Sequence, residues 1–295
     1  MNGILLIDKP AGWTSMDVCA VLRGALREKR VGHSGTLDPM ATGLLVVFLG
    51  RATRAVQFAE AHGKRYEALL RPGYVTDTQD ISGTVLETRP ADVTDEAIEA
   101  VLARFRGEIM QIPPMYSAIK VNGQKLYDLA RKGREVERKP RPVRIDALEY
   151  TGRTPDGDVA LRIDCSKGTY IRTLCHDIGA ALGCGACMSA LRRTRCGDFR
   201  IEDAHTLDEV LSAAAEGAAE KLLLPVESVF AGTPRSTLTA AQERVIRCGG
   251  SFSSPFPDGR RLLYGADGAF LALGEERGGV MRSIKNFFEV ETRKP

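Results

Sequence analysis

The run GLLVVFLG at residues 43–50 sets large apolar side chains between two glycines, and GILLID at residues 3–8 repeats the pattern near the N-terminus. Runs this short, apolar at nearly every position and bounded by Gly or Pro, read as buried strands rather than as helices.

Elsewhere the apolar spacing changes to that of helices. Val18, Val21, Leu22 and Ala25 follow Ser15, and Ile98, Val101, Leu102 and Phe105 follow Thr94, each with Ser15 or Thr94 in the place of an N-cap. Val159, Leu161, Ile163 and Cys165 alternate as in a half-buried strand. Thr169 then stands where it would cap a helix burying Ile171, Leu174, Ile178 and Leu182. Thr206 with Glu209 and Thr239 with Gln242 fit capping boxes and mark helices over about 206–215 and 239–248. No element recurs at a fixed period, so the class is α+β. Past Gly249 the chain is broken by Gly250, Pro255, Pro257 and Gly259, and RRLLYG, AFLALG and VMRSIKNFFEV read as short strands of a small β-rich module. A length of 295 residues suits one main domain over 1–232 and an appendage over 233–295.

Charge is unevenly spread. The net charge is +3, yet Lys120, Lys125, Arg131, Lys132, Arg134, Arg138, Lys139, Arg141 and Arg144 face only Asp128, Glu135 and Glu137 within residues 120–144, a local +6. A basic patch on a near-neutral chain suits a phosphate backbone, although a solvated helix face is the ordinary source of a charge run. Tyr116 and Tyr127 add stacking surface, and Arg192, Arg193, Arg195 and Arg200 against Asp198 form a second basic stretch. These features favour nucleic acid as the partner. There is no apolar stretch of membrane-spanning length and the N-terminus lacks a signal-peptide pattern, so a cytoplasmic location without membrane contact is expected. Seven cysteines then read as reduced thiols. Cys165, Cys175, Cys184, Cys187 and Cys196 lie close in sequence with His176, and Cys184-Gly-Ala-Cys187 has metal-ligand spacing. A structural zinc site wants two such pairs, and Cys165 and Cys175 fall in strand and helix patterns, so packing thiols are the better reading and no metal is expected.

One stretch concentrates unusual residues: GHSGTLDPMATGLL, from Gly32 to Leu45. Pro39 disfavours helical geometry at Asp38, while Gly35 and Gly43 permit turns on either side, so a single carboxylate is presented from a loop that feeds a buried strand. Asp and Gly also mark ordinary turns, and composition does not choose between the two readings.

Together with DKPAGWTS (8–15), KRYEA (64–68), TDTQDISG (76–83), IPPMYSAIKVNGQKLYDLARKG (112–133), SKGTYIRTL (166–174) and LRR (191–193), this stretch resembles the TruB family of tRNA pseudouridine-55 synthases. The motifs run in the family's order from residue 3 to about 200, and the tail is similar to the small RNA-binding PUA-like domain of that family. The resemblance implies a pseudouridine synthase fold, a mixed and largely antiparallel sheet flanked by helices, with residues 107–142 as a thumb-like insertion gripping RNA. It implies isomerisation of one uridine in the tRNA T loop, a reaction without net redox change or group transfer, which needs no cofactor. The chain carries no Walker or Rossmann signature.

By the same resemblance Asp38 is the catalytic carboxylate, either attacking the sugar or removing a sugar proton to give a glycal-like intermediate. Tyr66 is the stacking platform for the flipped base and takes the C5 proton; a strand tyrosine packed in a sheet is the plainer reading. Arg172 pairs with Asp38 and keeps it ionised. His33 enters the T loop in place of the departed base. Tyr170, Leu191 and Lys9 with Pro10 line or support the pocket, and Lys132 and Arg134 belong to the thumb. Asp77 and Asp80 read as a turn with Asx hydrogen bonds. A monomer acting on the tRNA T arm is expected. A synthase for another RNA and a non-catalytic RNA-folding protein are the rival classes; the long basic insertion speaks against the first, and the intact Asp38, Tyr66 and Arg172 against the second.

Overall fold

In a computed structural model the described residues are 1–117, 119–121 and 123–289. The main sheet is built from β1 (Gly3–Lys9), β2 (Val31–His33), β3 (Thr42–Leu49), β4 (Lys64–Pro72), β5 (Gly107–Gln111), β6 (Arg141–Arg153), β7 (Val159–Cys165), β8 (Ala186–Cys196), β9 (Phe199–Arg200) and β10 (His205–Thr206). Its spatial order is β10-β1-β3-β8-β4-β7-β6-β5, with β2 on β3 and β9 on β8. Only β1–β10 and β3–β8 are parallel, so the sheet is mixed and largely antiparallel, as expected.

Why β1 and β3 carry apolar residues at consecutive positions is now plain. Leu5, Ile7, Leu45, Val47 and Leu49 pack under α1 (Ser15–Ala25) and α4 (Leu207–Ala215). Ile4, Leu6, Leu44, Val46 and Phe48 are covered on the other face by Val226, Val229, Phe230 and the C-terminal Leu262, Leu273 and Phe287. On the far half of the sheet the alternation of β4 and β7 has its own cause: Tyr66, Ala68, Leu70, Leu161 and Ile163 face α2 (Asp95–Leu102) and α3 (Ile171–Leu182) on one side only.

The C-terminal module is a five-stranded sheet in the order β11-β13-β14-β15-β12, from β11 (Arg235–Thr237), β12 (Ser251–Ser253), β13 (Gly259–Tyr264), β14 (Phe270–Arg277) and β15 (Val280–Asn286), with α5 (Ala240–Arg247) against it. It shares its apolar core with the back of β1 and β3, and the Arg51 and Arg54 guanidiniums donate to the carbonyls of Phe287 and Asn286 at 2.8 Å each.

Helix ends follow local chemistry with two corrections. Thr14, not Ser15, caps α1, because its hydroxyl and the Asp17 carboxylate close a capping box. Ser15 is instead buried, and its hydroxyl accepts from the Leu37 amide at 2.9 Å. Thr169 does not cap α3; its hydroxyl donates to the Ser166 carbonyl at 2.9 Å, and the N-cap is Tyr170, without a side-chain bond. Thr94, Thr206 and Thr239 cap as expected. Of the second basic stretch Arg200 is exposed, while the other three arginines have partners within the fold. Arg193 is fully buried, Arg192 pairs with Asp8 at 2.7 Å and Arg195 with Asp164 at 2.7 Å.

One row of residues crosses the middle of the sheet in register: Lys9 on β1, Gly43 on β3, Arg193 on β8, Tyr66 on β4 and Ile163 on β7. Gly43 has φ +97°, and a Cβ there would stand 2.3 Å from the Arg193 carbonyl oxygen. Gly43→Ala is therefore expected to cost several kcal/mol of stability, well beyond the ~1–2 kcal/mol of a left-handed conformation alone. Gly12→Ala, at φ +81° with open space around it, sets that lower value, and chemical denaturation of both variants checks the difference.

Candidate active site

Asp38 sits in the turn between β2 and β3, where its carbonyl accepts from the Ala41 amide at 3.0 Å. The loop is held from three sides. Ser15 on α1 bonds the backbone of Leu37, the Gly12 amide donates to the Pro39 carbonyl at 2.8 Å, and Lys9 Nζ donates to the carbonyls of Pro10, Trp13 and Pro39 at 2.9, 2.6 and 3.4 Å. Lys9 is 0% exposed, with its ammonium turned to these backbone carbonyls. Burial lowers its pKa to about 8 against the opposing pull of Asp38.

Arg172, in the first turn of α3, reaches Asp38 with two nitrogens, Nε to Oδ2 at 2.9 Å and Nη2 to Oδ1 at 3.3 Å. Its remaining donors go to the carbonyls of Thr78 at 3.0 Å and Tyr116 at 2.7 Å, and the residue is 5% exposed. The expected Asp38–Arg172 pair is thus present, with the forked geometry that orients a carboxylate. Asp80 stands 3.6 Å from Arg172 Nη1. It was read from sequence only as a turn residue, and it does accept from Thr78, from the Ser82 hydroxyl and from the Ser82 amide at 3.0 Å. A three-membered line Asp38–Arg172–Asp80 results, and a buried arginine whose fork outnumbers one carboxylate was the signal for the second acid. The Asp38 side chain keeps a third of its surface exposed, yet burial of its surroundings lifts its pKa above the ordinary carboxylate range; Arg172 opposes this and Asp80 reinforces it.

Tyr66 faces the same cluster as Leu37, Ala41 and Leu191 and is 7% exposed. Burial pushes its hydroxyl up to about 12, with the adjacent Arg193 guanidinium working in the other direction. Tyr170 is the N-cap of α3; its amide donates to Gln111 Oε1 at 3.0 Å and burial raises its phenol. His33 ends β2, is half-buried, and is kept below the usual histidine range by burial and by Arg193, so it is neutral near pH 7. Lys132 and Arg134 lie exposed on the turn after the short helix Leu126–Ala130, away from the Asp38 contacts just described. Six of the cysteines are buried, and burial holds Cys165 and Cys187 at about 11. Among the described residues no three His, Cys, Asp or Glu side chains gather as a metal would require.

This geometry, one partly buried carboxylate held by a buried arginine, with the buried Tyr66 in the same apolar cluster as Leu37 and Ala41 of the Asp38 loop, coincides with a sequence match. The profile of the TruB family pseudouridylate synthase N-terminal domain covers residues 23–171. The chain belongs to the TruB family. A second profile, the tRNA pseudouridylate synthase B C-terminal domain, covers residues 172–231, so the Asp38–Arg172 pair joins the two matched segments. The chain is 46% identical over 285 residues to the tRNA pseudouridine synthase B of Azoarcus sp. (strain BH72), covering 96% of this chain and 93% of that one. It is 45% identical to the protein of that name from Thermobifida fusca (strain YX), covering 97% and 98%. The fold is similar to a chain in the crystal structure of a Cbf5–Nop10–Gar1 complex, with a TM-score of 0.75 and 29% identity over 98% of this chain and 86% of that one.

Removing the guanidinium that counteracts desolvation must raise the Asp38 pKa further. In Arg172→Met the acid limb of the pH–rate profile is expected to move to higher pH by about 1–3 units. Single-turnover rates measured from pH 5 to 9 check this.

Proposed function

We propose that this protein isomerises uridine 55 in the T loop of tRNA to pseudouridine, with Asp38 as the catalytic carboxylate. The forked contact of Arg172 with Asp38 carries the reading, because it orients one partly buried carboxylate, and opposes the desolvation that raises its pKa, where a flipped nucleotide can meet it. The N1–C1′ bond breaks with the help of Asp38, either by attack of a carboxylate oxygen on C1′ or by removal of a sugar proton. The freed uracil turns and C5 bonds to C1′ as the Asp38–C1′ bond breaks or, on the second route, as Asp38 returns the proton to the sugar. Tyr66 then takes the C5 proton, N1 ends protonated, and the product is an isomer of the substrate. Every step uses groups of the chain and of the RNA, so no cofactor enters.

Extrusion of the base leaves a gap in the T loop, and His33, neutral and beside the Asp38 loop, fills it. Leu191 and Tyr170 wall the pocket. Residues 107–142 act as the thumb on the T arm, its inner end tied to the site by the Tyr116 carbonyl on Arg172 and by Gln111 on Tyr170. Residues 1–232 form the catalytic domain and 233–295 a PUA-like RNA contact. The protein acts as a monomer in the cytoplasm, where its tRNA substrate is.

Asp38→Asn preserves shape and removes the reactive oxygen. It is expected to lose several orders of magnitude in single-turnover conversion of an unmodified tRNA transcript while equilibrium tRNA binding survives. Pseudouridine formation at an appreciable rate by this variant refutes the assignment. Exchanging Lys132 and Arg134 for Glu is expected to weaken tRNA binding and flatten the dependence of log Kd on log salt by roughly two ion equivalents. A slope equal to that of the unaltered protein removes both residues from the phosphate contacts.

A further inference from the structure

Arg193 is the largest side chain in the protein with no exposed surface at all. A guanidinium is costly to bury, and it is ordinarily buried against a carboxylate. Arg193 takes part in no ion pair among the described residues. Its Nε donates to the Leu44 carbonyl at 2.7 Å and its Nη2 to the Gly35 carbonyl at 3.1 Å, which ties together the two ends of the loop that carries Asp38. Its Nη1 is buried and has no acceptor at hydrogen-bonding geometry among the described residues, while the guanidinium lies close enough to the Tyr66 hydroxyl to act on it. In register across the sheet, Arg193 lies directly opposite Tyr66.

We infer that Arg193 is a positioning residue for proton transfer at Tyr66: it clamps the Asp38 loop through Gly35 and Leu44, and its Nη1 supplies the fixed positive charge beside which the Tyr66 phenol gives its proton to water, leaving the phenolate that takes the C5 proton. The inference rests on the reading of Tyr66 as the group that takes the C5 proton. A buried cation without an anion is poorly matched in the resting protein and becomes matched when negative charge develops beside it, which is the arrangement that favours a reacting state over a ground state.

The surroundings of Tyr66 leave Arg193 as the group able to do this. From β7 it meets Cys165 and from β8 Cys196, and thiols offer no positive charge. On its own strand Lys64 is spent on the carbonyls of Glu60 and His62 at 3.3 and 2.9 Å. Across the site Arg172 is committed to Asp38 and to two carbonyls, and His33 is neutral. Lys9, in the same row, is turned to the carbonyls of Pro10 and Trp13 and to that of Pro39 in the Asp38 loop. Gly35 is part of the construction, since a Cβ there would stand 3.4 Å from Arg193 Nη1 and 3.3 Å from Lys64 Cε.

The test compares Arg193→Gln, Arg193→Lys and Tyr66→Phe by single-turnover conversion of an unmodified tRNA transcript over a range of pH, with tRNA Kd measured alongside. Below the Tyr66 pKa the rate limited by this proton transfer climbs with pH. Loss of the positive charge raises that pKa, so in Arg193→Gln the climbing line moves to higher pH by about 1–2 units and the rate at neutral pH falls about 10–100-fold, with Kd nearly unchanged. Arg193→Lys keeps the line in place. An Arg193→Gln line that superimposes on that of the unaltered protein overturns the inference, as does an equal displacement by Arg193→Lys. Full activity of Tyr66→Phe sinks the reading of Tyr66 itself, whereas an inactive Tyr66→Phe with an unmoved Arg193→Gln line sinks only the role of Arg193. Should Arg193→Gln fail to fold, Arg193→Met takes its place in the same measurement: a line displaced to higher pH by about 1–2 units supports the inference, and one that superimposes on that of the unaltered protein overturns it.

Discussion

The two halves of the main sheet meet at a short parallel contact between β3 and β8, where Thr42 and Gly43 pair with Arg192 and Arg193. Everything at the candidate site hangs from this seam. The half made of β10, β1, β2 and β3 delivers Lys9, His33 and the Asp38 loop, and the half made of β8, β4, β7, β6 and β5 delivers Arg193, Leu191 and Tyr66. The strands approach closely enough only because Gly43 has no side chain to meet the Arg193 backbone. Parallel pairing there, within an otherwise antiparallel neighbourhood, sets the acid-bearing turn over the end of β8 and beside the first turn of α3.

Around that seam the charges are arranged unequally. Lys9, Lys64, Arg172 and Arg193 are buried under or beside the Asp38 loop, and the acids in contact with them are Asp38 and Asp80. Lys9, Lys64 and Arg193 spend most of their donors on backbone carbonyls rather than on carboxylates; Lys9 and Arg193 thereby hold the Asp38 loop, and the positive field is left unneutralised. A field of that sign suits a polyanionic substrate and a reaction in which negative charge appears on a base. Desolvation acts against Asp38 throughout, and the Arg172 fork is what offsets it.

Much of the fold was legible because the relevant signals are local. The buried strands of residues 3–8 and 43–50, the alternation of β7 and the helices begun by Thr94, Thr206 and Thr239 all follow from periodicity and capping chemistry that act within a few residues. Errors arose where a distant partner decided. Ser15 is drawn from capping to the Leu37 backbone, 22 residues away; Arg193 turns inward to the carbonyls of Gly35 and Leu44, and Arg192 and Arg195 are tied at the surface by Asp8 and Asp164. Asp80 looked like a turn residue because its Asx contacts are local, while its approach to Arg172 spans the fold.

Sequence alone determined the α+β class, the presentation of Asp38 between Gly35 and Gly43, and, through its motifs, the family; these depend on residue types at short spacing, which the chain carries wherever it goes. Tertiary structure decided which side chains are spent on structure and which remain for chemistry. Lys9 and Arg193 lie far apart in the sequence from each other and from Tyr66, and only strand register sets Lys9, Arg193 and Tyr66 in one row with Gly43 between the first two. Burial then fixes their charge and their partners, because desolvation depends on what packs around a group and not on its neighbours in the chain.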